Sequence, residues 1–133
     1  MAQIVATDSV YATQSLGFSQ AIIANGFVFL SGQVGWDTCY KLMGNKGFEN
    51  QANQCFKNIE LILREAKSGM EKVVHLRFFV TDISDKNKKI IGGLLKKYFP
   101  NAYQPTTTLV CVKALARAEL MIEIEAVATV VNH

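Results

Sequence analysis

Residues 20–31 read Gln-Ala-Ile-Ile-Ala-Asn-Gly-Phe-Val-Phe-Leu-Ser, two short runs of β-prone residues separated by an Asn-Gly pair. Both residues of this pair tolerate the positive φ that a two-residue hairpin turn requires. The stretch therefore predicts a β-hairpin, with strands at residues 20–24 and 27–31 and a turn at Asn25 and Gly26.

The sequence that follows the hairpin changes its hydrophobic period. Residues 32–47 carry four glycines and predict a loop that projects Trp36 and Asp37. From Phe48, apolar residues recur at steps of three and four up to a stop near Gly69, which is typical of an amphipathic helix. Residues 73–80 alternate and predict a strand. One face of this strand should carry Val74, Leu76, Phe78 and Val80, and the other Val73, His75, Arg77 and Phe79.

The last part of the chain predicts a second helix and two more strands. Ser84 or Asp85 can cap the helix, which Pro100 ends, and residues 106–112 and 120–131 are β-prone. The order strand, hairpin, helix, strand, helix, strand, strand predicts an α/β (α+β) fold in which two helices cover one face of a mixed sheet. In the last strand, carboxylates mix with apolar residues on the second face, as in a subunit interface with a polar pocket.

Composition narrows the class of protein. With 133 residues the chain predicts a single domain, residues 1–133, and half of its residues are apolar. The three cysteines show no pairing or zinc-binding spacing, so a reducing, cytoplasmic location fits best. There is no apolar run long enough for a membrane span. The net charge of +3 is modest, and its lysine run favours a solvated helix face over a nucleic-acid site.

Five blocks of the sequence, in order and spacing, resemble the signature blocks of the YjgF family, also called the reactive intermediate deaminase (RidA) family. They cover residues 16–22 (Leu-Gly-Phe-Ser-Gln-Ala-Ile), 29–33 (Phe-Leu-Ser-Gly-Gln), 79–82 (Phe-Val-Thr-Asp), 98–99 (Tyr-Phe) and 122–128 (Ile-Glu-Ile-Glu-Ala-Val-Ala). The resemblance implies a chorismate-mutase-like homotrimer with ligand sites in clefts between subunits. It also implies hydrolysis of enamines or imines to carbonyl compounds and ammonia, without a metal or organic cofactor.

The resemblance also implies roles for individual residues. Glu123 would position or activate the attacking water, and the turn Ser31, Gly32 and Gln33 would contribute backbone groups. Thr107 stands where the active branch has an arginine that binds the substrate carboxylate, and a hydroxyl offers one neutral hydrogen bond in place of a charged fork. Two other expected cleft positions hold Phe18, where a tyrosine is frequent, and Gly92, where an asparagine is frequent.

Other candidate residues have a structural interpretation beside the functional one. Arg77 could pair with Glu123 or Glu125, or it or Arg117 from the next subunit could replace the missing arginine; pairing is the better expectation. Thr108 belongs to a β-branched run that fits any strand. Cys111 could be a nucleophile, although an inert thiol is the more common role. Trp36, with Asp37, could form a lid over the cleft, but loop tryptophans more often pack.

Three functions from different classes remain open at this point. The first is a hydrolytic deaminase acting on an enamine or imine other than the small 2-imino acids. The second is a trimer that binds a small metabolite without catalysis, which the absent polar groups at Phe18, Gly92 and Thr107 favour. The third and weakest is an endoribonuclease or translation inhibitor, which would need a basic track with exposed aromatic residues.

Overall fold

The structure is a computed structural model that describes residues 2–42 and 47–130. Over these residues it contains six strands and two α-helices, with short 3₁₀ turns at Gln14–Leu16 and Met70–Lys72. In chain order these elements are β1 Gln3–Val5, β2 Ala21–Ala24, β3 Phe27–Val34, α1 Phe48–Glu65, β4 Val73–Val80, α2 Asp85–Tyr98, β5 Thr106–Cys111 and β6 Ile122–Thr129.

The strands form one sheet in the order β1-β2-β3-β6-β4-β5. All neighbouring strands are antiparallel except β4 and β5, which are parallel. The predicted α+β fold with a mixed sheet and two helices is therefore confirmed. Neither helix has the length and apolar content of a membrane-spanning segment within residues 2–42 and 47–130.

The predicted hairpin is confirmed in detail. Asn25 has φ of 52° and Gly26 has φ of 80°, both in the left-handed region, and Ala24 pairs with Phe27 across the turn. Two consecutive positive φ angles define the turn type whose twist matches that of the flanking strands. Strand β3 continues to Val34, so the first part of the predicted glycine-rich loop is strand. Residues 43–46 of that loop lie outside the described residues.

Helix α1 packs on β3 and β6 and contacts α2. The apolar stripe that predicted this helix is fully buried, and its members are Ala52, Cys55, Ile59 and Ile62. Phe56 of the same helix stacks on Tyr98 of α2, with 4.8 Å between ring centroids, and lies 6.2 Å from the ring of Phe78 in β4. The predicted N-cap of α2 is Ser84, whose Oγ accepts a hydrogen bond from the Asn87 N–H at 3.1 Å.

The predicted faces of β4 need one correction. Val73 is fully buried and Val74 is half-buried, whereas the sequence alternation places Val74 in the core. The cause is a register shift between Val73 and His75 in the pairing with β6. A shift of one residue exchanges the two faces of a strand, so the simple alternation holds only after the irregularity.

Within the part of the chain that the structure describes, neither helix covers the second face of the sheet. In β6 the buried residues alternate with half-buried ones, and the latter are Glu123, Glu125, Val127 and Thr129. On neighbouring strands, Phe27 and Phe29 of β3 are 40% and 48% exposed, and Val110 of β5 is 37% exposed. The structure thus leaves a sheet face that combines large apolar side chains with charged ones, as the last strand predicted.

A buried amide connects α1 to the end of β3. Asn58 is 1% exposed, and its side-chain Nδ2 donates to the carbonyl oxygens of Val34 and Trp36, each at 3.2 Å. Its Oδ1 accepts a hydrogen bond from Gln54 at 2.8 Å. Buried carbonyl groups need such partners because their desolvation is otherwise uncompensated. Asn58 therefore holds the last residues of β3 against the helix.

We expect Asn58→Ala to lower the free energy of unfolding by about 1 to 3 kcal/mol, because the buried Trp36 carbonyl oxygen loses its side-chain donor, whereas the Val34 oxygen keeps the Trp36 N–H at 2.8 Å. Asn53→Ala is the matched control in the same helix, since the Asn53 amide contacts only the exposed backbone of Glu49. The control should change stability by less than about 0.5 kcal/mol. Urea denaturation at a fixed protein concentration measures both, and equal effects of the two substitutions would contradict the assignment.

Candidate functional site

The site begins at a β-bulge in strand β3. Leu30 pairs with Ala126 and Gln33 pairs with Ile124. Between these two pairs β3 advances by three residues and β6 by two. The additional residue lies at Ser31 and Gly32. Bulges of this kind redirect side chains and are common beside functional sites.

Hydrogen bonds to the chain before β2 hold the bulge. The Ser31 hydroxyl donates to the Ser19 carbonyl oxygen at 2.6 Å, and the Ser31 N–H donates to the Gln20 carbonyl oxygen at 2.9 Å. Phe18, the residue before Ser19, is 46% exposed at this edge. The structure therefore brings the predicted residues Phe18, Ser31 and Gly32 into one neighbourhood.

Glu123 reaches this bulge from β6. A Cβ atom built on Gly32 would overlap the Glu123 carboxylate, so only glycine at position 32 permits the close approach. Across the sheet, Glu123 pairs with Val34 of β3 on one side and with Phe79 of β4 on the other. The predicted grouping of Glu123 with Ser31 and Gly32 is thus present within one chain.

The electrostatic environment makes Glu123 unusual. Partial burial, and secondly the nearby charge of Glu125, raise the pKa of the Glu123 carboxyl above its ordinary value. Among the described residues its carboxylate makes no hydrogen bond and no ion pair. A half-buried carboxyl that is unpaired and has a raised pKa is a candidate for proton transfer.

Two buried groups that sequence reasoning missed lie near Glu123. Burial and, to a smaller degree, the Glu123 charge raise the pKa of the Tyr11 hydroxyl and of the Cys55 thiol, so both stay protonated at neutral pH. The Tyr11 oxygen accepts a hydrogen bond from the Val34 N–H at 3.2 Å. No periodic pattern surrounds Tyr11 in the sequence, so nothing local could have identified it.

Arg77 pairs with Glu125, which is one of the two partners that the sequence left open. The two residues face each other across β4 and β6, and the distance from Arg77 Nη1 to Glu125 Oε1 is 2.9 Å. Their side chains are 47% and 39% exposed. Thr108 of β5 pairs with Arg77 on the other side and shares this uncovered face. The Arg77 guanidinium is therefore engaged within the chain, next to the Glu123 neighbourhood.

Thr107 and Gly92 lie together, but away from Glu123. Thr107 pairs with buried Leu76, which places it on the helix-covered side of the sheet. It lines a cavity of about 290 Å³ whose other lining residues are Gly92, Leu95, Lys96, Phe99, Gln104 and Pro105. Cys111 is on the same side of β5, is exposed, and has its Sγ 3.8 Å from the Thr81 carbonyl oxygen. A single chain thus separates the predicted site into two parts on opposite faces of the sheet.

The resemblance implies a backbone contribution from Gln33, and the structure places the side chain of this residue in the interior. Gln33 has no exposed surface, pairs with Ile124, and donates from Nε2 to the Ser31 carbonyl oxygen at 3.2 Å. The bulge is the reason, since it turns the Gln33 side chain into the interior. Its buried Oε1 has no hydrogen-bond partner among the described residues.

Trp36 takes the packing role that the sequence favours over a lid. Trp36 is 8% exposed and packs edge-on against Tyr11 and Tyr40, at centroid distances of 5.3 and 5.7 Å. Arg117 stands over its ring at 5.7 Å. Asp37 is used locally, because its carboxylate accepts hydrogen bonds from the Cys39 and Lys41 N–H groups at 2.8 and 3.1 Å.

Another cavity lies away from both parts of the predicted site. It has a volume of about 460 Å³ and lies beside the N-terminal segment, with Asp8 and Glu65 among its lining residues. The amide of Gln20 in its wall is satisfied by the backbone of Thr7 and Tyr11. Within residues 2–42 and 47–130, no group of three His, Cys, Asp or Glu side chains is placed to hold a metal ion.

The fold and site define an α+β protein with a carboxylate at a strand bulge on the uncovered face of its sheet. Residues 10–130 match the family described as Endoribonuclease L-PSP. The chain belongs to this family, which is the YjgF/RidA family that its sequence blocks indicate.

Relatives and solved structures agree with this membership. The chain is 40% identical over 113 residues to a RutC family protein of Aquifex aeolicus, covering 83% of this chain and 87% of the relative. It is 32% identical over 111 residues to the human 2-iminobutanoate/2-iminopropanoate deaminase, covering 84% of this chain and 78% of that protein. The Rid family protein YyfA of Yersinia pestis superposes with a TM-score of 0.89 at 29% identity, covering 98% of this chain and 100% of that one.

The raised pKa of Glu123 predicts a dependence of stability on pH. The unfolded chain loses this proton near the ordinary glutamate pKa of about 4.3, whereas the folded chain loses it at higher pH. Ionisation therefore lowers the stability of the folded state once the pH rises through the folded-state pKa. We expect Glu123→Gln to raise the melting temperature at pH 7.5 and to lose most of that advantage at pH 4.

Glu119→Gln is the control for this measurement, because it removes an exposed glutamate just before β6. It should leave the melting temperature nearly unchanged at both pH values. If Glu123→Gln instead destabilises the protein at pH 7.5, its carboxylate has a favourable partner and the assignment of an unpaired carboxyl is wrong.

Proposed function

We propose that this chain is a cofactor-independent deaminase that hydrolyses an imine, or an enamine through its imine tautomer, to a carbonyl compound and ammonia. The observation that carries the proposal is Glu123, an unpaired, half-buried carboxyl with a raised pKa at the Gly32 bulge. The names of relatives support it, since the human protein is called 2-iminobutanoate/2-iminopropanoate deaminase and an Arabidopsis thaliana relative is called Reactive Intermediate Deaminase A.

In the proposed reaction Glu123 moves two protons from oxygen to nitrogen. Its carboxylate takes a proton from water as the water oxygen bonds to the imine carbon, and the protonated carboxyl gives that proton to nitrogen, which yields a carbinolamine. The carboxylate then takes the hydroxyl proton of the carbinolamine and passes it to the same nitrogen, so that the C–N bond breaks as the C=O bond forms and ammonia leaves. A carboxyl whose pKa is raised toward neutrality serves both steps better than an ordinary one, because it exchanges the proton more evenly with its partners.

We further propose that the protein works as a homotrimer with its ligand sites in clefts between subunits. Two observations support assembly. The uncovered sheet face exposes Phe27, Phe29 and Val110, and water contact with large apolar side chains favours burial against another surface. Glu123 and Thr107 also lie on opposite faces of the sheet in one chain. The predicted cleft can therefore form only where two copies bring these residues together.

The proposed substrate differs from the small 2-imino acids that relatives such as the human protein are named for. Thr107 gives one neutral hydroxyl to the cavity, and a hydroxyl cannot form the paired, charged contact that an arginine makes with a carboxylate. The cavity beside Thr107 leaves room for a larger group. A bulkier imine or enamine therefore suits this chain.

A second candidate is a trimer that binds a small metabolite without catalysis. The same cavity supports it, because a lining that combines apolar groups, neutral hydrogen-bonding groups and one lysine needs no reaction to hold a ligand. An endoribonuclease has less support. The lysines of α2 belong to the helix layer, and Glu123 lies on the opposite, uncovered face of the sheet, so the α2 lysines form no basic track to the candidate carboxyl.

The proposal predicts ammonia release from imines generated freshly from alanine, leucine and phenylalanine by an amino-acid oxidase, and from the neutral imine of benzaldehyde. We expect turnover of a bulkier substrate and a fall in kcat of at least about 100-fold in Glu123→Gln. Thr107→Arg should improve activity on the alanine-derived imine by about tenfold, because it restores a charged contact to the carboxylate.

Glu119→Gln is again the control for Glu123→Gln, and it should keep the wild-type rate. Absence of turnover above the spontaneous rate for every substrate would refute the deaminase and favour the binding trimer. Turnover that survives Glu123→Gln unchanged would refute the role of Glu123.

The Arg77–Glu125 pair predicts the behaviour of the assembly. If the uncovered face is buried between subunits, Arg77→Met leaves a buried carboxylate without a cation, which is strongly unfavourable. We expect at least about a tenfold rise in the concentration at which the assembly half-dissociates in analytical ultracentrifugation. The double variant Arg77→Met with Glu125→Leu should recover most of the loss, because it removes both charges.

Two results would contradict this prediction. A wild-type protein that stays monomeric at high concentration would refute the assembly. Unchanged assembly in Arg77→Met together with weaker ligand binding would instead make Arg77 a ligand-binding residue.

A further inference from the structure

The cavity beside Thr107 is formed where α2 passes over the edge strand β5. Gly92 and Lys96 are one helical turn apart on α2, so they face the same side. Gln104, Pro105 and Thr107 form the opposite wall, from the segment that leads into β5. In the order of the sheet, β5 has a neighbour on one side only, so the cavity lies at an open edge.

Gly92 keeps the helix wall of this cavity open. A Cβ atom at position 92 would meet no atom within 4 Å, so packing does not require a glycine there. A positive φ does not require one either, because Gly92 has none. Alanine in a helix interior is more stable than glycine by about 0.5 to 1 kcal/mol. The glycine at this position therefore reduces helix stability while it leaves space in the cavity.

The charge of the cavity has one sign. Lys96 is the charged residue of the lining, which contains no Asp or Glu. The ion pairs of the described residues do not include Lys96. The Thr107 hydroxyl and the Gln104 amide add neutral hydrogen-bond donors, while Leu95, Phe99 and Pro105 add apolar surface. An unpaired ammonium beside neutral donors and an apolar wall suits a singly charged anion with an apolar body.

We propose that Lys96 is a specificity-determining residue that binds the carboxylate of the ligand in this cavity, with the apolar body of the ligand against Leu95 and Phe99. The inference rests on the proposed function and deepens it, because it makes the substrate a carboxylate-bearing imine or enamine that is bulkier than the small 2-imino acids. Lys96 carries its charge on a flexible stem from the helix, so the strand position of Thr107 stays free for the bulk of the ligand.

The test uses benzoate and its neutral analogue benzamide as probes of the intact protein, with ¹H–¹⁵N spectra that follow the amides of Gly92 and Thr107. We expect benzoate to shift these amides and to bind at least about fivefold more tightly than benzamide. Lys96→Gln should reduce the affinity for benzoate to that for benzamide and leave benzamide binding unchanged. Lys89→Gln, which removes an exposed lysine of the same helix, should change neither.

A second pair of variants tests the cavity itself. Gly92→Leu should block both probes by filling the space, whereas Gly93→Leu should block neither, because Gly93 is exposed and is not among the residues that line the cavity. A Cβ atom at position 93 meets no atom within 4 Å. Leucine favours a helix over glycine, so both variants should fold, and a thermal melt checks this.

Benzoate binding that Lys96→Gln does not weaken, or binding that leaves Gly92 and Thr107 unshifted, would overturn the inference. These measurements need no turnover, so they separate the inference from the deaminase proposal. If the ammonia assay shows no turnover, the deaminase proposal fails, but carboxylate binding by Lys96 can still be observed. If the protein is a deaminase and Lys96→Gln does not change its substrate preference, the proposed function stands and the inference is refuted.

Discussion

Strand β6 sets the constraint on which the other features depend. It lies inside the sheet between β3 and β4, so its backbone groups are paired on both sides. Its side chains must then alternate between the helix layer and the uncovered face. Ile122, Ile124 and Ala126 pack under the helices, and this fixes Glu123 and Glu125 on the other face. The position of the candidate carboxyl therefore follows from the need to bury its apolar neighbours.

The alternation of β6 sets the face on which Glu123 lies, and the bulge in β3 sets the surroundings of its carboxylate. An uninterrupted β3 would keep its register beside Glu123, but the additional residue places the backbone of Gly32 against the carboxylate. The glycine has no Cβ, so the carboxylate can lie close to the backbone and lose part of its solvent. This partial burial is the larger cause of its raised pKa, and the charge of Glu125 is the smaller one. Arg77 stays with Glu125 at 2.9 Å and does not relieve Glu123 by a direct ion pair.

The sequence predicts the parts of this structure that depend on local chemistry. The Asn-Gly turn, the stripe of α1 and the cap at Ser84 each follow from a few neighbouring residues, and so do the faces of β6. The bulge at Gly32 and the register shift at Val73 depend on pairing with β6, which no local pattern encodes. Trp36 packs inward against Tyr11, which is distant in sequence, so its burial again depends on a tertiary contact. Helical periodicity puts Gly92 and Lys96 on one side, but the opposite wall comes from the segment after the helix, whose path back to the sheet no local pattern encodes.

Three features reduce stability without any compensation that the described contacts reveal, and they divide between the two parts of the proposed site. Glu123 is partly buried without a partner, and Gln33 Oε1 is fully buried without one. Gly92 lies within helix α2 at a position where alanine would fit. Proteins give up stability most often where function requires it, so the coincidence of these features with the Glu123 and Thr107 neighbourhoods is informative. This coincidence supports the proposal that both neighbourhoods serve a ligand, the first in its reaction and the second in its recognition. A chain selected for stability alone would fill the cavity and replace the carboxyl.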